Sequence, residues 1–133
     1  MITGSWYVFC SREKLAPLTD FSESFSKLRG ASITELDREY AELSIHDALT
    51  GNDARVRVYV DEDAHVAVEA RRLAAANPEI DARDALATAD VRYAIVWDLV
   101  HSDETYNARA FIAEVLERAT GGTIYDVTEG RFV

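Results

Sequence analysis

Val91-Arg-Tyr-Ala-Ile-Val-Trp-Asp-Leu99 is nearly all apolar or aromatic, and its reading decides the fold. A short run rich in β-branched and aromatic residues is a strand, and such unbroken apolarity places it at the centre of a sheet. Ser5-Trp-Tyr-Val-Phe-Cys10 has the same character and reads as a buried first strand. Two further segments alternate instead. Ala41, Leu43 and Ile45 share one face of Tyr40 to Asp47, and Val56, Val58 and Val60 share one face of Arg55 to Val60. The turn-forming stretch Leu49-Thr-Gly-Asn-Asp53 joins them into a hairpin with one wet face. Thr123-Ile-Tyr-Asp-Val127 makes a last strand before a turn at Thr128-Glu-Gly130.

Helical spacing fills the gaps. Asp20 precedes Phe21, Phe25 and Leu28, so it is expected to cap a short helix that Gly30 closes. Asp61-Glu-Asp63 ends its strand and is expected to place acids on the first turn of the next helix, where the dipole favours them. That helix uses Val66, Ala70, Leu73 and Ala74 and stops near Ala76, before Asn77-Pro78. A helical turn fits Asp81 to Ala89. Ser102 is expected to cap the last helix, whose stripe is Ala108, Phe111, Ile112, Val115, Leu116 and Ala119, and Gly121-Gly122 stops it. The order β-α-β-β-α-β, then α-β, predicts an α+β fold. Its core would be a ferredoxin-like antiparallel sheet with helices packed on one face, carrying a C-terminal α-β extension. No repeat or linker interrupts residues 1–133, which read as a single domain.

With 133 residues, 48% hydrophobic and 29% charged, the composition is globular, so disorder is excluded. No apolar run approaches the ~20 residues of a membrane span, and Met1-Ile-Thr-Gly-Ser lacks a secretory signal's basic start. The lone Cys10 suits a reducing compartment, so the expected location is cytoplasmic. The net charge is −10 and unevenly spread. Residues 32–63 carry nine acids against three bases, a net −6, whereas residues 1–31 are net +1. Such a surface repels nucleic acid and anionic lipid and speeds encounter with a basic protein.

No catalytic set emerges from the sequence. Asp61, Asp63 and His65 invite a metal reading, but a helix start makes residues two apart diverge, so capping is preferred. His46, His65 and His101 lack the local spacing of a zinc site. Gly121-Gly122 follows a helix C-terminus, the wrong end for phosphate. Cys10 lies within an apolar run and reads as core, as do Trp6, Tyr93, Trp97 and Tyr125. No metal or cofactor is expected.

The last forty residues carry a resemblance. Arg92-Tyr-Ala-Ile-Val-Trp-Asp98, Asp103-Glu-Thr-Tyr-Asn107, the striped helix and Thr120-Gly-Gly-Thr-Ile-Tyr-Asp126 resemble the endings of small acidic bacterial proteins, several of them toxin-immunity proteins. The resemblance covers about a third of the chain and implies a non-catalytic binder of a toxin or effector, without assigning any site residue. The expected contact surface is Tyr59 with Asp61, Glu62 and Asp63, an aromatic anchor beside acids at a strand-to-helix corner. Two other readings stay open: a small enzyme or ligand-binding domain using the sheet face, and a homodimer formed through the sheet or an edge strand.

Overall fold

The computed structural model describes residues 3–48, 51–98 and 103–133. The predicted strands are present as β1 (Thr3–Cys10), β3 (Tyr40–His46), β4 (Asp53–Asp61), β5 (Val91–Asp98) and β6 (Thr123–Asp126). Two strands escape the sequence reading: β2 (Ala31–Leu36) and β7 (Arg131–Phe132). In β2 the pairing with β3 slips between Ile33 and Glu35. The bulge turns Ile33 and Leu36, three residues apart, toward one core, which destroys the period of two that marks a strand. β7 is too short to show any period.

The helices are α1 (Ser22–Ser26), α2 (His65–Ala76), α3 (Arg83–Ala87) and α4 (Asp103–Thr120). Asp20 caps nothing, because Leu18–Phe21 forms a 3-10 turn and α1 starts after it. Gly30 does adopt the left-handed conformation, φ +78°, but leads directly into β2. The acids at 61–63 lie ahead of α2 and not on its first turn, although Asp63 Oδ1 accepts the His65 N–H at 3.1 Å. Gly121, φ +65°, stops α4, with its N–H donated to the Glu117 carbonyl. Leu49, Thr50, Leu99, His101 and Ser102, which carry part of the hairpin turn, the end of a strand, a histidine and the expected cap, lie outside the described residues.

All seven strands form one antiparallel sheet in the order β2-β3-β4-β5-β1-β6-β7. β5 is its central strand, as its apolarity demands. The α+β class is as expected, but the strand order departs from the ferredoxin-like arrangement. That arrangement would insert β1 between β4 and β5. Here β4 pairs directly with β5, and β1 lies beyond it. The reason is direction. The extra strand β2 reverses the sense of β3 and β4, so β4 runs the same way as β1, while β5 stays opposed to β1. The two cannot be antiparallel neighbours, and β5, opposed to both, separates them. The chain then crosses from β5 through α4 to β6, leaving β1 between the two.

Helices cover both faces, not one. On the larger core, α4 places Ala108, Ile112, Ala113 and Leu116 with Phe25 of α1, over Trp6, Val8, Leu43, Val58, Tyr93 and Ile95. On the other face, Val66, Ala70 and Ala74 of α2 and Leu86 of α3 join Phe9, with Tyr7 and Tyr125 partly buried beside them. Alternate residues of β1 are apolar on each side, so a strand with two covered faces was legible in Trp6–Cys10. The buried stripe of α4 is rotated from expectation. Ala113 is buried, whereas Phe111 and Val115 are half-buried at its margins. Gly4 lies opposite Trp97 in the ladder, and a Cβ there would come within 2.6 Å of the indole.

Cys10 and Tyr93 are buried on the larger core. The Tyr93 hydroxyl donates to the Ala16 carbonyl at 2.6 Å and accepts the Ala16 N–H at 2.9 Å, which ties the loop after β1 to the central strand. Burial pushes the Cys10 thiol up to about 11, with Asp90 adding and a Thr120 hydrogen bond opposing, and pushes Tyr93 up to about 12. Both groups stay neutral in the fold. In the unfolded chain the thiol ionises near its usual 9.0, so the fold binds the extra proton above that pH. The thiol's contribution to stability is therefore expected to be intact below pH 9.0 and to fall between there and about 11. Urea unfolding across this window checks it, and Cys10→Ala should show a flatter alkaline decline. The native thiol should also resist alkylation at pH 8, since thiolate is the reactive form.

Candidate functional site

At the C-terminal end of β4 the chain turns from the sheet into α2 and gathers charge around one buried cation. Arg92, 6% exposed, lies opposite Asp61 in the β4–β5 ladder. Its Nε and Nη2 reach Asp61 Oδ2 at 3.2 and 3.1 Å, and its Nη1 donates to Glu69 Oε2 at 2.8 Å. Its guanidinium carbon lies 3.8 Å from the centroid of the Tyr7 ring. His65 and Glu69, four apart on α2, share the helix face toward this group. His65 Nε2 is 3.2 Å from Arg92 Nη2, and its Nδ1 is 2.9 Å from Asp63 Oδ1. An arginine can only donate, so this arrangement fits a neutral imidazole that accepts at Nε2 and donates from Nδ1 to Asp63. The hydrogen bonds from the His65 backbone N–H and ring hold the Asp63 carboxyl below its ordinary value. Arg12, arriving from the loop after β1, donates to Glu62 Oε1 at 2.7 Å, while its own N–H donates to Asp90.

The three acids expected to stand exposed together therefore have different fates. The Asp61 side chain is only 26% exposed and holds Arg92 in place. Glu62 and Asp63 remain on the surface at 39% and 66%, each against a neighbouring cation or imidazole. Asp61, Asp63 and His65 do converge, but as hydrogen-bonded and ion-paired partners. Among the described residues no group of three or more His, Cys, Asp and Glu could hold a metal. EDTA is accordingly expected to leave the melting temperature unchanged, as checked by thermal denaturation with and without chelator.

Tyr59 stands where the alternation put it, 40% exposed on the sheet face opposite the larger core. Its ring packs against Tyr40, directly across the ladder, at a centroid separation of 5.0 Å and a tilt of 52°. Beside the pair, Glu42 accepts from Thr34 at 2.9 Å and from Arg57 at 3.2 Å. This half of the face, on β3 and β4, lies away from α2 and α3, which pack on β5 and β1. The aromatic pair is thus open to solvent, with Glu62 and Asp63 following along the chain.

Sequence reasoning passed over two arginines. Arg92 was visible as the one cation inside an apolar strand, a position that demands a buried acid. Arg109 lies on α4 against Trp6, Trp97 and Tyr106. Comparison with protein-family models, curated proteins and solved structures finds no match for this chain.

Proposed function

We propose that the chain is a non-catalytic binding protein that captures a basic protein partner, in the manner of an immunity or inhibitor protein. The observation that carries this reading is the exposed Tyr59, packed against Tyr40 on an uncovered sheet face and followed by the surface acids Glu62 and Asp63. A tyrosine held in place loses little freedom on binding and suits the centre of a contact, while acids at its edge steer a basic partner. The net charge of −10 and the resemblance of residues 92–126 to immunity-type endings support the same reading. Asp61 acts here from beneath the surface, by fixing the corner through Arg92. No helix among the described residues is long and apolar enough to cross a membrane.

Affinity capture from the native host tests the proposal, with wild type and Tyr59→Ala as paired baits. The expected result is one basic protein retained by wild type, lost at raised salt, and reduced about tenfold or more on Tyr59→Ala. Since Tyr59 is an exposed side chain, the variant should melt close to wild type. Equal retention on both baits, or no specific protein on either, would count against the proposal.

A further inference from the structure

We infer that the cavity walled by Trp6, Tyr106, Arg109, Asp126 and Phe132 binds a small zwitterion, an α-amino acid or a compound with the same neighbouring carboxylate and ammonium. This site lies apart from Tyr59 and does not depend on the proposed partner. The cavity measures about 370 Å³, within the roughly 300–1,000 Å³ of small-molecule sites and large enough for one amino acid. β1, α4, β6 and β7 each contribute to its wall, so it is assembled by the tertiary fold.

The state of Arg109 points to a ligand. Its guanidinium carbon lies 4.1 Å from the ring centre of Trp97, 4.8 Å from that of Tyr106 and 5.2 Å from that of Trp6. The two indoles meet edge to face at 5.8 Å, which fixes the cage. Among the described residues Arg109 has no hydrogen-bond or ion-pair partner, and its Nε is buried and unsatisfied. Two other cations that are wholly or partly buried are treated otherwise: Arg92 reaches two carboxylates and Arg57 one. Aromatic faces stabilise a cation and set its plane, but they leave the guanidinium donors unused. A carboxylate fits such a fork with two parallel bonds.

Asp126 supplies the complementary half. It is 9% exposed, and its Oδ1 accepts the Glu129 N–H at 3.0 Å, while its other oxygen has no partner among the described residues. Burial lowers the Arg109 pKa and Asp126 pulls it back up, so the two charges sense each other, yet they form no ion pair. Glu129 and Arg131 add one charge of each sign to the wall. A simple anion at Arg109 would face two carboxylates, and a simple cation at Asp126 would face two arginines. A zwitterion, its carboxylate on Arg109 and its ammonium on Asp126, satisfies both, with Trp6 and Phe132 offering apolar surface to its side chain.

The test is a titration of the whole chain with individual L-α-amino acids, followed by tryptophan emission and by melting temperature. For each amino acid that binds, the matching carboxylic acid without the amine and the matching amine without the carboxylate are titrated in parallel. The expected result is that at least one amino acid at millimolar concentration raises the melting temperature and changes the emission of the caged indoles. Its two truncated analogues should bind roughly tenfold or more weakly. Arg109→Gln should abolish binding, and Arg109→Lys, which keeps the charge but not the fork, should weaken it about tenfold. Arg118→Ala, at the exposed end of α4, serves as the folded control. The inference is overturned if no amino acid moves either readout, if the plain carboxylate binds as well as its amino acid, or if Arg109→Lys binds like wild type.

Discussion

Arg92→Met is expected to lower the stability of the fold by about 2–4 kcal/mol, the loss that follows when one member of a largely buried charge group is removed. Methionine keeps much of the stem that covers Tyr7 but brings no donors. Asp61 and Glu69 would then face each other without the guanidinium that joins them. Both carboxylates retain some access to water, at 26% and 35%, which holds the cost below that of fully buried charges. Denaturant unfolding measures it as a fall in midpoint at unchanged slope. A double-mutant cycle isolates the cause. Asp61→Asn should cost about 1–3 kcal/mol in the wild-type chain and much less beside Arg92→Met, because its partner is already gone. Additive losses would mean that Arg92 acts by packing alone.

Leu116→Ala is expected to cost about 2–5 kcal/mol, by lost burial and by the cavity left behind. Leu116 is 0% exposed on the inner face of α4, which packs across β1, β3, β4, β5 and β6. Phe111→Ala at the half-buried margin of the same helix should cost less, even though the larger side chain is removed. The comparison reads out which way α4 is turned. A greater loss at Phe111 than at Leu116 would contradict the packing described above.

Strands with strong patterns were legible in the sequence. The apolar run at 91–98, the alternation of β3 and β4, and the stripe of α4 each follow from a single local period. What failed was whatever depended on a broken period or on strand order. The bulge in β2 conceals one strand, and one concealed strand reverses the direction of the hairpin that follows it. From that single omission came the ferredoxin-like expectation. The site followed the same division. Tyr59 was legible because it alternates with Val58 and Val60. The inward turn of Asp61 was not, since it depends on Arg92 lying opposite, which only the pairing of β4 with β5 establishes. The cage around Arg109 was equally hidden, because its rings come from β1, β5 and α4.

These placements divide the acidic corner into a part that holds the fold and a part that meets solvent, and the division can be measured. The most direct test of a basic-partner binder is the association rate of the captured protein, at low and high salt, with wild type and with the double variant Glu62→Gln/Asp63→Asn. Both residues lie on the surface, so the variant should fold normally. Surface charges act chiefly on the encounter, at distances of about 10 Å in 0.1 M salt. The expected result is slower association at low salt, a flatter salt dependence, and little change in dissociation rate. Association that is equally fast and equally salt-dependent in the variant would contradict the account.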